Sequence, residues 1–323
     1  MTHQAFVNKI NDFTKKNIPF LFLVDFEKKN PIVFALDDAE KQGFLFSVKG
    51  ITNSVSKEEF SSQVQLIPTH LNRDEYHQGY MRVLAALQHG DSFLLNLTYP
   101  TKIELNCSLE EVYHRAKAPY KLYKENDFTV FSPECFIKIH EGYIYTYPMK
   151  GTIDAQLPNP RESLLKNPKE QFEHNTIVDL MRNDLSIVAK EVEVTKFRYS
   201  ERLQTTHRDL LQTSSEIRGK LLPNWKANLG ELLLSLLPAG SISGAPKEKT
   251  CTIIKVAEKK ERGYFTGVFG VFDGKNLDSG VMIRYIEQKN KHLYFRSGGG
   301  ITALSNEEDE YHELLQKVYL PIF

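Results

Sequence analysis

A chain of 323 residues, 41% hydrophobic and 11% aromatic, carries enough apolar surface for a sizeable core and excludes disorder as its main state. Its 41 Lys+Arg and 41 Asp+Glu cancel to a formal net charge of zero, which argues against a nucleic-acid or membrane-surface partner. Three scattered cysteines (Cys107, Cys135, Cys251) at no metal-site spacing predict no disulfide framework, and there is neither an apolar signal segment nor a run of about 18 apolar residues, so a soluble cytoplasmic protein is expected.

In chain order, a short amphipathic helix near residues 3–16 precedes the apolar runs PFLFLVDF and GFLFSV, read as strands closed by turns. RDEYHQGYMRVLAALQHG reads as a helix ending at Gly90. DSFLLNLTYPTKIEL follows as a strand, and FTVFSPECFIKIHEGYIYTYP as two alternating stretches that turn at Gly142. The segment KNPKEQFEHNTIVDLMRNDLSIVA has helical spacing, with Phe172, Ile177, Leu180 and Met181 on one face, and EVEVTKFRY returns to alternation. ANLGELLLSLLPAGSISGAPKEKTCTIIKVAEKKERG gives a helix, a glycine loop and a second helix. GVFGVFDG, SGVMIRYIEQ and HLYFRSGGGI then read as three antiparallel strands, and SNEEDEYHELLQKVY as a closing helix. Strands outnumber what βαβ alternation would give, so the expected class is α+β, with large antiparallel sheets flanked by helices. No repeat or linker divides the chain. One domain over 1–323 is expected, with a short N-terminal part (1–72) and a core from 73 onward.

Several positions bear chemistry. YTYPMKGTIDA sets Lys150 at the lip of a strand, just before Gly151 and Thr152; the residues alone leave open a solvated lysine or an amine aimed into a pocket. Ser305 reads as an N-cap with Glu308 as its capping-box partner, which places Glu310 and Glu313 three apart on one helix face. Glu170 and Glu173 repeat that spacing. Two helices with paired carboxylates either are solvated acidic faces or hold a hard dication such as Mg2+, which takes oxygen ligands. Pro246 falls near the first position of a helix whose amides could receive an anion. Three glycines, Gly298 to Gly300, leave a strand where backbone can approach a ligand closely. Arg284, mid-strand among apolar neighbours, calls for a carboxylate partner. The P-loop pattern is absent.

SPECF, PMKGT, EHNTIVDLMRNDLS, PAGSISGAPK, MIRYI and SGGGITALSNEEDEYHELLQKV, in this order over about residues 73–323, resemble the chorismate-utilising enzymes. Within that family the chain looks most like the aminodeoxychorismate synthase component I branch of para-aminobenzoate and folate biosynthesis, with the anthranilate synthase component I branch as its sibling. The resemblance implies that chorismate is the substrate, ammonia the nitrogen source, Mg2+ the cofactor and a separate glutaminase subunit the partner. It also implies Glu173 and Glu313 as Mg2+ ligands, supported by Glu170 and Glu310, and Glu134 as the acid–base beside the departing hydroxyl. Arg284, Gly298, Gly299 and Gly300 would hold substrate carboxylates. Thr152, Gly244, Ala245, Lys247 and Gln212 complete the implied substrate contacts. In anthranilate synthases alanine is typical where Lys150 stands; in aminodeoxychorismate synthases it is lysine, which attacks C2 of chorismate as the C4 hydroxyl leaves and is then expelled by ammonia. For that role the amine must be neutral, so burial or a cation must lower its pKa.

Departures from the family pattern bear on these expectations. LLQTSSEIRGKL puts Gln212 where H-L-x-S-x-V-x-G has histidine, and His207 is out of register. Phe265 replaces a tyrosine, removing one hydroxyl contact. Leu94 stands where relatives that attack C2 with water carry lysine, which argues against isochorismate or salicylate synthesis. The alternatives are anthranilate formation, against which Lys150 speaks, and a non-catalytic anion- or metal-binding regulatory subunit. None of the cysteines has the glycine-flanked setting of a glutaminase nucleophile.

Overall fold

The computed structural model of the chain describes residues 1–54, 63–203 and 209–322, so the expectation at His207 lies outside the described residues. Two nine-stranded sheets, antiparallel at every pairing, form a mixed α/β domain. The first sheet runs Met149–Asp154, Leu210–Leu221, Tyr143–Thr146, Cys135–His140, Leu277–Val281, Val268–Phe272, Phe20–Val24, Ile32–Ala35, with Ala189–Leu203 along Leu210–Leu221. The second runs Gly244–Ala245, Leu94–Leu105, His292–Ile301, Tyr285–Lys289, Phe128–Ser132, Tyr120–Lys124, Phe44–Val48, Ile51–Thr52, with Leu66–His70 along Leu94–Leu105. The N-terminal residues are thus woven into both sheets.

Strand Phe20–Val24 shows how the layers stack. All five residues are buried. Phe20, Phe22 and Val24 pack with helix residues such as Phe6, Leu229 and Leu233, while Leu21 and Leu23 pack between the sheets against Phe44, Phe46 and Val130. Side chains alternate across a strand, so a continuous apolar run is what a strand covered on both faces requires. Each such side chain contributes about 1.5–3 kcal/mol through burial. A third cluster, Ile103, Val112, Phe131, Ile286 and Phe295, covers the outer face of the second sheet.

Helix Arg73–His89 begins at Asn72, whose side chain accepts from the Glu75 amide, and ends at Gly90 in the left-handed region, φ 87°. Tyr76, Tyr80, Val83 and Leu87 form its buried stripe. Helix Pro168–Val188 buries Glu173, Ile177 and Met181 on one stripe, but Phe172, expected on that face, is 55% exposed. At about 100° per residue Phe172 falls nearly opposite the middle of the buried face that runs from Glu173 to Val178.

Three expected stretches divide differently. SGVMIRYIEQ is two strands, Leu277–Val281 in the first sheet and Tyr285–Lys289 in the second. FTVFSPECFIKI is likewise split into Phe128–Ser132 in the second sheet and Cys135–His140 in the first. The four halves pair with each other, so two neighbouring strands pass between the sheets at one place. The glycine loop of PAGSISGAPK contains a single helical turn, Gly240–Ser243, and the next helix, Lys247–Glu258, has Pro246 as N-cap and not as its first residue. In the last helix, Glu307–Gln316, the cap is Asn306, which accepts from the amides of Glu308 and Asp309; Ser305, expected there, instead donates to Glu310 at 2.7 Å. No described helix is long and apolar enough to cross a membrane, and the three cysteines are free thiols.

Candidate active site

The strand carrying Lys150 is irregular at that residue. Met149 pairs with Ser214 and Thr152 with Gln212, with a register shift between them, so Lys150 and Gly151 form a bulge. Gly151 has φ +83°, and a Cβ on it would stand 2.6 Å from Glu170 Oε2; any other residue would be strained and would collide. From this bulge Lys150 Nζ reaches Glu173 Oε2 at 2.7 Å, with its side chain 26% exposed and Glu173 buried.

The opposing surface is strand His292–Ile301 of the second sheet. The glycines expected to leave the strand lie inside it, in register with Leu94–Leu105: Gly298 opposite Thr98, Gly299 opposite Leu97, Gly300 opposite Asn96. A Cβ on Gly300 would stand 3.1 Å from both Lys150 Nζ and Leu94 Cδ1. A Cβ on Gly299 would lie 3.5 Å from Glu310 Oε2 and Glu313 Oε1. Side chains alternate across a strand, so Gly300 leaves a floor without a side chain beneath the amine on one face, and Gly299 leaves room for the carboxylates on the other. The Gly298 carbonyl accepts from Lys317 Nζ at 2.8 Å, so it faces away from strand Leu94–Leu105. In an extended strand, backbone groups point alternately to either side. Gly298 and Gly300 thus share the free edge, whereas Gly299 turns its amide to the neighbouring strand and is removed from the expected set of amide donors.

Glu134 and Arg284 occupy the two paired crossings between the sheets, where the Val281 amide donates to the Glu134 carbonyl and the Phe131 amide to that of Arg284. Arg284 is not mid-strand: with φ of 52° it lies after the first-sheet strand, which ends at Val281, and directly before the second-sheet strand, which starts at Tyr285. Its guanidinium stacks on Tyr319 at 5.0 Å. The ring face adds to the attraction of the Glu134 carboxylate, on which the Arg284 charge also acts. The Ser241 hydroxyl donates to Glu134 Oε1.

Lys247 is turned to a different task. It bonds Asp184 Oδ2 at 2.8 Å and the Leu236 carbonyl at 3.0 Å, which ties its helix to Pro168–Val188. Gly244 and Ala245 pair with Leu95 and Leu94, and a Cβ on Gly244 would meet the Leu94 carbonyl oxygen at 1.9 Å. They back Leu94 against the floor. Gln212 lies opposite Thr152, whose side chain is outside the described residues. Thr213 and Ser215 take the alternate face of that strand, where Ser215 Oγ meets His174 Nε2 at 2.7 Å, so Gln212 points to the other face. Phe265 is buried between the sheets under Arg296, at 5.0 Å, and does not line the floor.

The charges decide the protonation states. Burial pulls the Lys150 pKa down, but Glu173, in contact and hydrogen-bonded, with Glu313 and Glu170 behind it, leaves it above the ordinary lysine value. This corrects the expectation of a depressed pKa: in the free protein Lys150 is an ammonium because the carboxylates more than offset desolvation. Burial raises Glu134 above the ordinary carboxylate range, against the opposing effects of Ser241, Lys150, Arg284 and Lys317. Lys317, lowered by burial, was not singled out from the sequence, although its place four residues after Glu313 was a usable signal. Ser241 had no comparable signal.

The raised Glu134 pKa has a consequence for stability. A carboxyl with a higher pKa folded than unfolded loses stability as pH rises through its folded pKa. Glu134→Gln, neutral and of equal size, is expected to unfold at a higher temperature than the parent at pH 7, with the difference vanishing below about pH 4, where both states are protonated. Thermal midpoints of the two proteins at both pH values decide this. An equal or lower midpoint for the glutamine variant at pH 7 would mean that the surrounding cations stabilise the carboxylate.

The carboxylates also bear on metal binding. Among the described residues no three acidic, histidine or cysteine side chains converge as a ready metal cage. Mg2+ commonly takes one or two protein carboxylates and completes its shell with water and substrate oxygens. Hard oxygen donors from two helices, Glu173 beside Lys150 and Glu313 beside Lys317, are of the type such an ion takes.

Comparison with known proteins places this geometry. A profile described as chorismate binding enzyme matches residues 22–322. The chain is similar to an uncharacterized PabA-like protein of Haemophilus influenzae, 53% identical over 322 residues, 99% of this chain and 98% of that one. It is 32% identical over 266 residues to aminodeoxychorismate synthase component 1 of Klebsiella aerogenes, 77% of this chain but 57% of that protein, so it spans little more than half of that relative. Among solved structures, the menaquinone-specific isochorismate synthase of Escherichia coli superposes with a TM-score of 0.74 at 15% identity, over 97% of this chain and 80% of that one; this is a likeness of fold. Anthranilate synthase component I of Streptococcus pneumoniae gives 0.67 at 26% identity, over 81% and 60%.

Proposed function

The chain belongs to the family of chorismate binding enzymes, and on that premise we propose that it converts chorismate and ammonia to 4-amino-4-deoxychorismate. The observation that carries the reading is the position of Lys150, an amine held over the Gly300 floor beside Glu173, with Leu94 as its apolar neighbour. Lys150, once deprotonated, attacks C2; the ring double bonds shift, the C4–oxygen bond breaks, and the Glu134 carboxyl gives its proton so that water leaves. Ammonia then adds at C4, the double bonds shift back, Lys150 departs from C2, and the surplus ammonium proton returns to Glu134. Arg284 and the edge amides of Gly298 and Gly300 hold substrate carboxylates. Lys317, bonded to the Gly298 carbonyl, adds positive charge at that edge. Glu173 and Glu313, with Glu170 and Glu310 beside them, would hold Mg2+, which when bound supplies positive charge to a substrate carboxylate.

The ammonia is proposed to come from a glutaminase subunit, because none of the free thiols has the setting of a nucleophile: burial raises the pKa of Cys107, Cys135 and Cys251 alike. The test is product formation by the purified chain from chorismate and Mg2+, with either ammonium or ammonium-free glutamine, with and without an aminodeoxychorismate lyase. The expected result is para-aminobenzoate from ammonium only, dependent on lyase, abolished by chelation and restored by Mg2+. The rate should rise with pH as free ammonia accumulates and fall as Glu134 loses its proton. Anthranilate without lyase would replace the proposal with the sibling reaction. No product at all would leave a binding subunit, and turnover of glutamine by the single chain would overturn the partner.

A further inference from the structure

We propose that Thr213 is a positioning residue that fixes the bulge from which Lys150 projects; this rests on the reading of Lys150 as the reacting amine. Strand Leu210–Leu221 holds the segment before the bulge by a backbone bond just ahead of the ladder, from the Ser215 amide to the Pro148 carbonyl at 3.0 Å. Pairing is recorded again at Thr152 and Gln212. Between these points, at the register shift, the Lys150 carbonyl accepts from the Thr213 hydroxyl. This side-chain bond falls at the point where the ladder register breaks.

Thr213 is fully buried, so water cannot replace its hydroxyl. Losing that donor leaves the carbonyl of the residue whose side chain must reach Glu173 with a weaker set of donors, the His174 ring among them. The bulge then has reason to relax toward the regular register, and a shift of one residue sends a side chain to the other face of the sheet. On the far side of the bulge Gly151 has φ +83°, and Glu170 Oε2 fills the space that a side chain there would take. The hydroxyl pins one end of the bulge, and the glycine lies at the other.

The experiment compares Thr213→Val, which keeps shape and β-branching but loses the donor, with Thr213→Ser, which keeps the donor. Three quantities are read on the full chain: kcat and KM with ammonium, the thermal midpoint, and the rate at which a water-soluble acylating reagent modifies Lys150. The modification is followed by peptide mass spectrometry against the exposed Lys15 as internal standard. For the valine variant, kcat should fall about 10- to 100-fold with KM within about threefold, the scale of a misplaced reacting group. Lys150 should be acylated at least about threefold faster as it loosens from Glu173, while Thr213→Ser stays near the parent in both. An unchanged acylation rate and kcat in the valine variant would overturn the proposal. So would a serine variant as impaired as the valine one, which would assign the effect to the methyl group. If Lys150 itself proves dispensable for turnover, the reaction proposed above fails, whereas the acylation ratio still decides whether Thr213 sets the bulge.

Discussion

Replacing Lys150 with alanine is expected to lower aminodeoxychorismate formation by about 10³-fold or more, the scale on which removal of a reacting nucleophile acts. Covalent attack splits one difficult displacement into two easier ones, and no other described amine is placed over the Gly300 floor within contact of Glu173. The alanine variant also strips Glu173 of its ion-pair partner, so a loss of activity by itself would confuse chemistry with electrostatics. Lys150→Arg separates them. It keeps a cation beside Glu173 but offers no neutral nucleophile, since a guanidinium does not deprotonate in proteins. Both variants should be equally inactive in the ammonium assay while the arginine variant keeps its thermal midpoint. Near-normal turnover in either would remove the covalent role.

Arg262→Ala is expected to destabilise the fold by about 3–5 kcal/mol, the cost of leaving a buried charge without its partner. Arg262 is 1% exposed and Glu258 4%. All five guanidinium hydrogens are used: Nε and Nη2 on the two Glu258 oxygens at 2.9 and 2.6 Å, Nη1 on the Ile242 carbonyl and Thr266, and Nη2 on the Asn96 carbonyl. Glu258 in turn accepts from the amide and hydroxyl of Thr98. Asn96 and Thr98 pair with Gly300 and Gly298, so this network braces the floor of the site from the neighbouring strand. Denaturant unfolding of Arg262→Ala measures the cost, and the double variant Arg262→Met, Glu258→Met shows its origin. If the unpaired carboxylate is the cause, removing both charges costs less than removing one. A double variant worse than the single would assign the loss to packing against Phe26, over whose ring the guanidinium lies at 4.5 Å.

Much of the fold was legible because it is local. The stripe Tyr76, Tyr80, Val83, Leu87 and the stop at Gly90 belong to one helix, and both its periodicity and its glycine cap are written in consecutive residues. The same holds for the apolar run at Phe20–Val24. The ordered motifs carried the family resemblance. Thr213 and Ser241 escaped notice because their partners, Lys150 and Glu134, are distant in sequence and a single hydroxyl leaves no pattern.

The long helices, the strand-rich antiparallel class and the residue types available for chemistry were readable from periodicity and capping within short windows, whereas the seven-residue helices Leu109–Arg115 and Pro160–Lys166 are too short to show a period and were not read. The tertiary structure was needed to show that SPE and MIR are crossings between sheets: neither the Ser-Pro-Glu interruption nor Arg284 says which sheet the chain joins next, and the switch is visible in which strands pair on either side. It also decided the charge of Lys150. Burial alone would have made that amine neutral, but carboxylates from two helices elsewhere in the chain are folded around it, and Coulomb attraction at contact distance outweighs desolvation there.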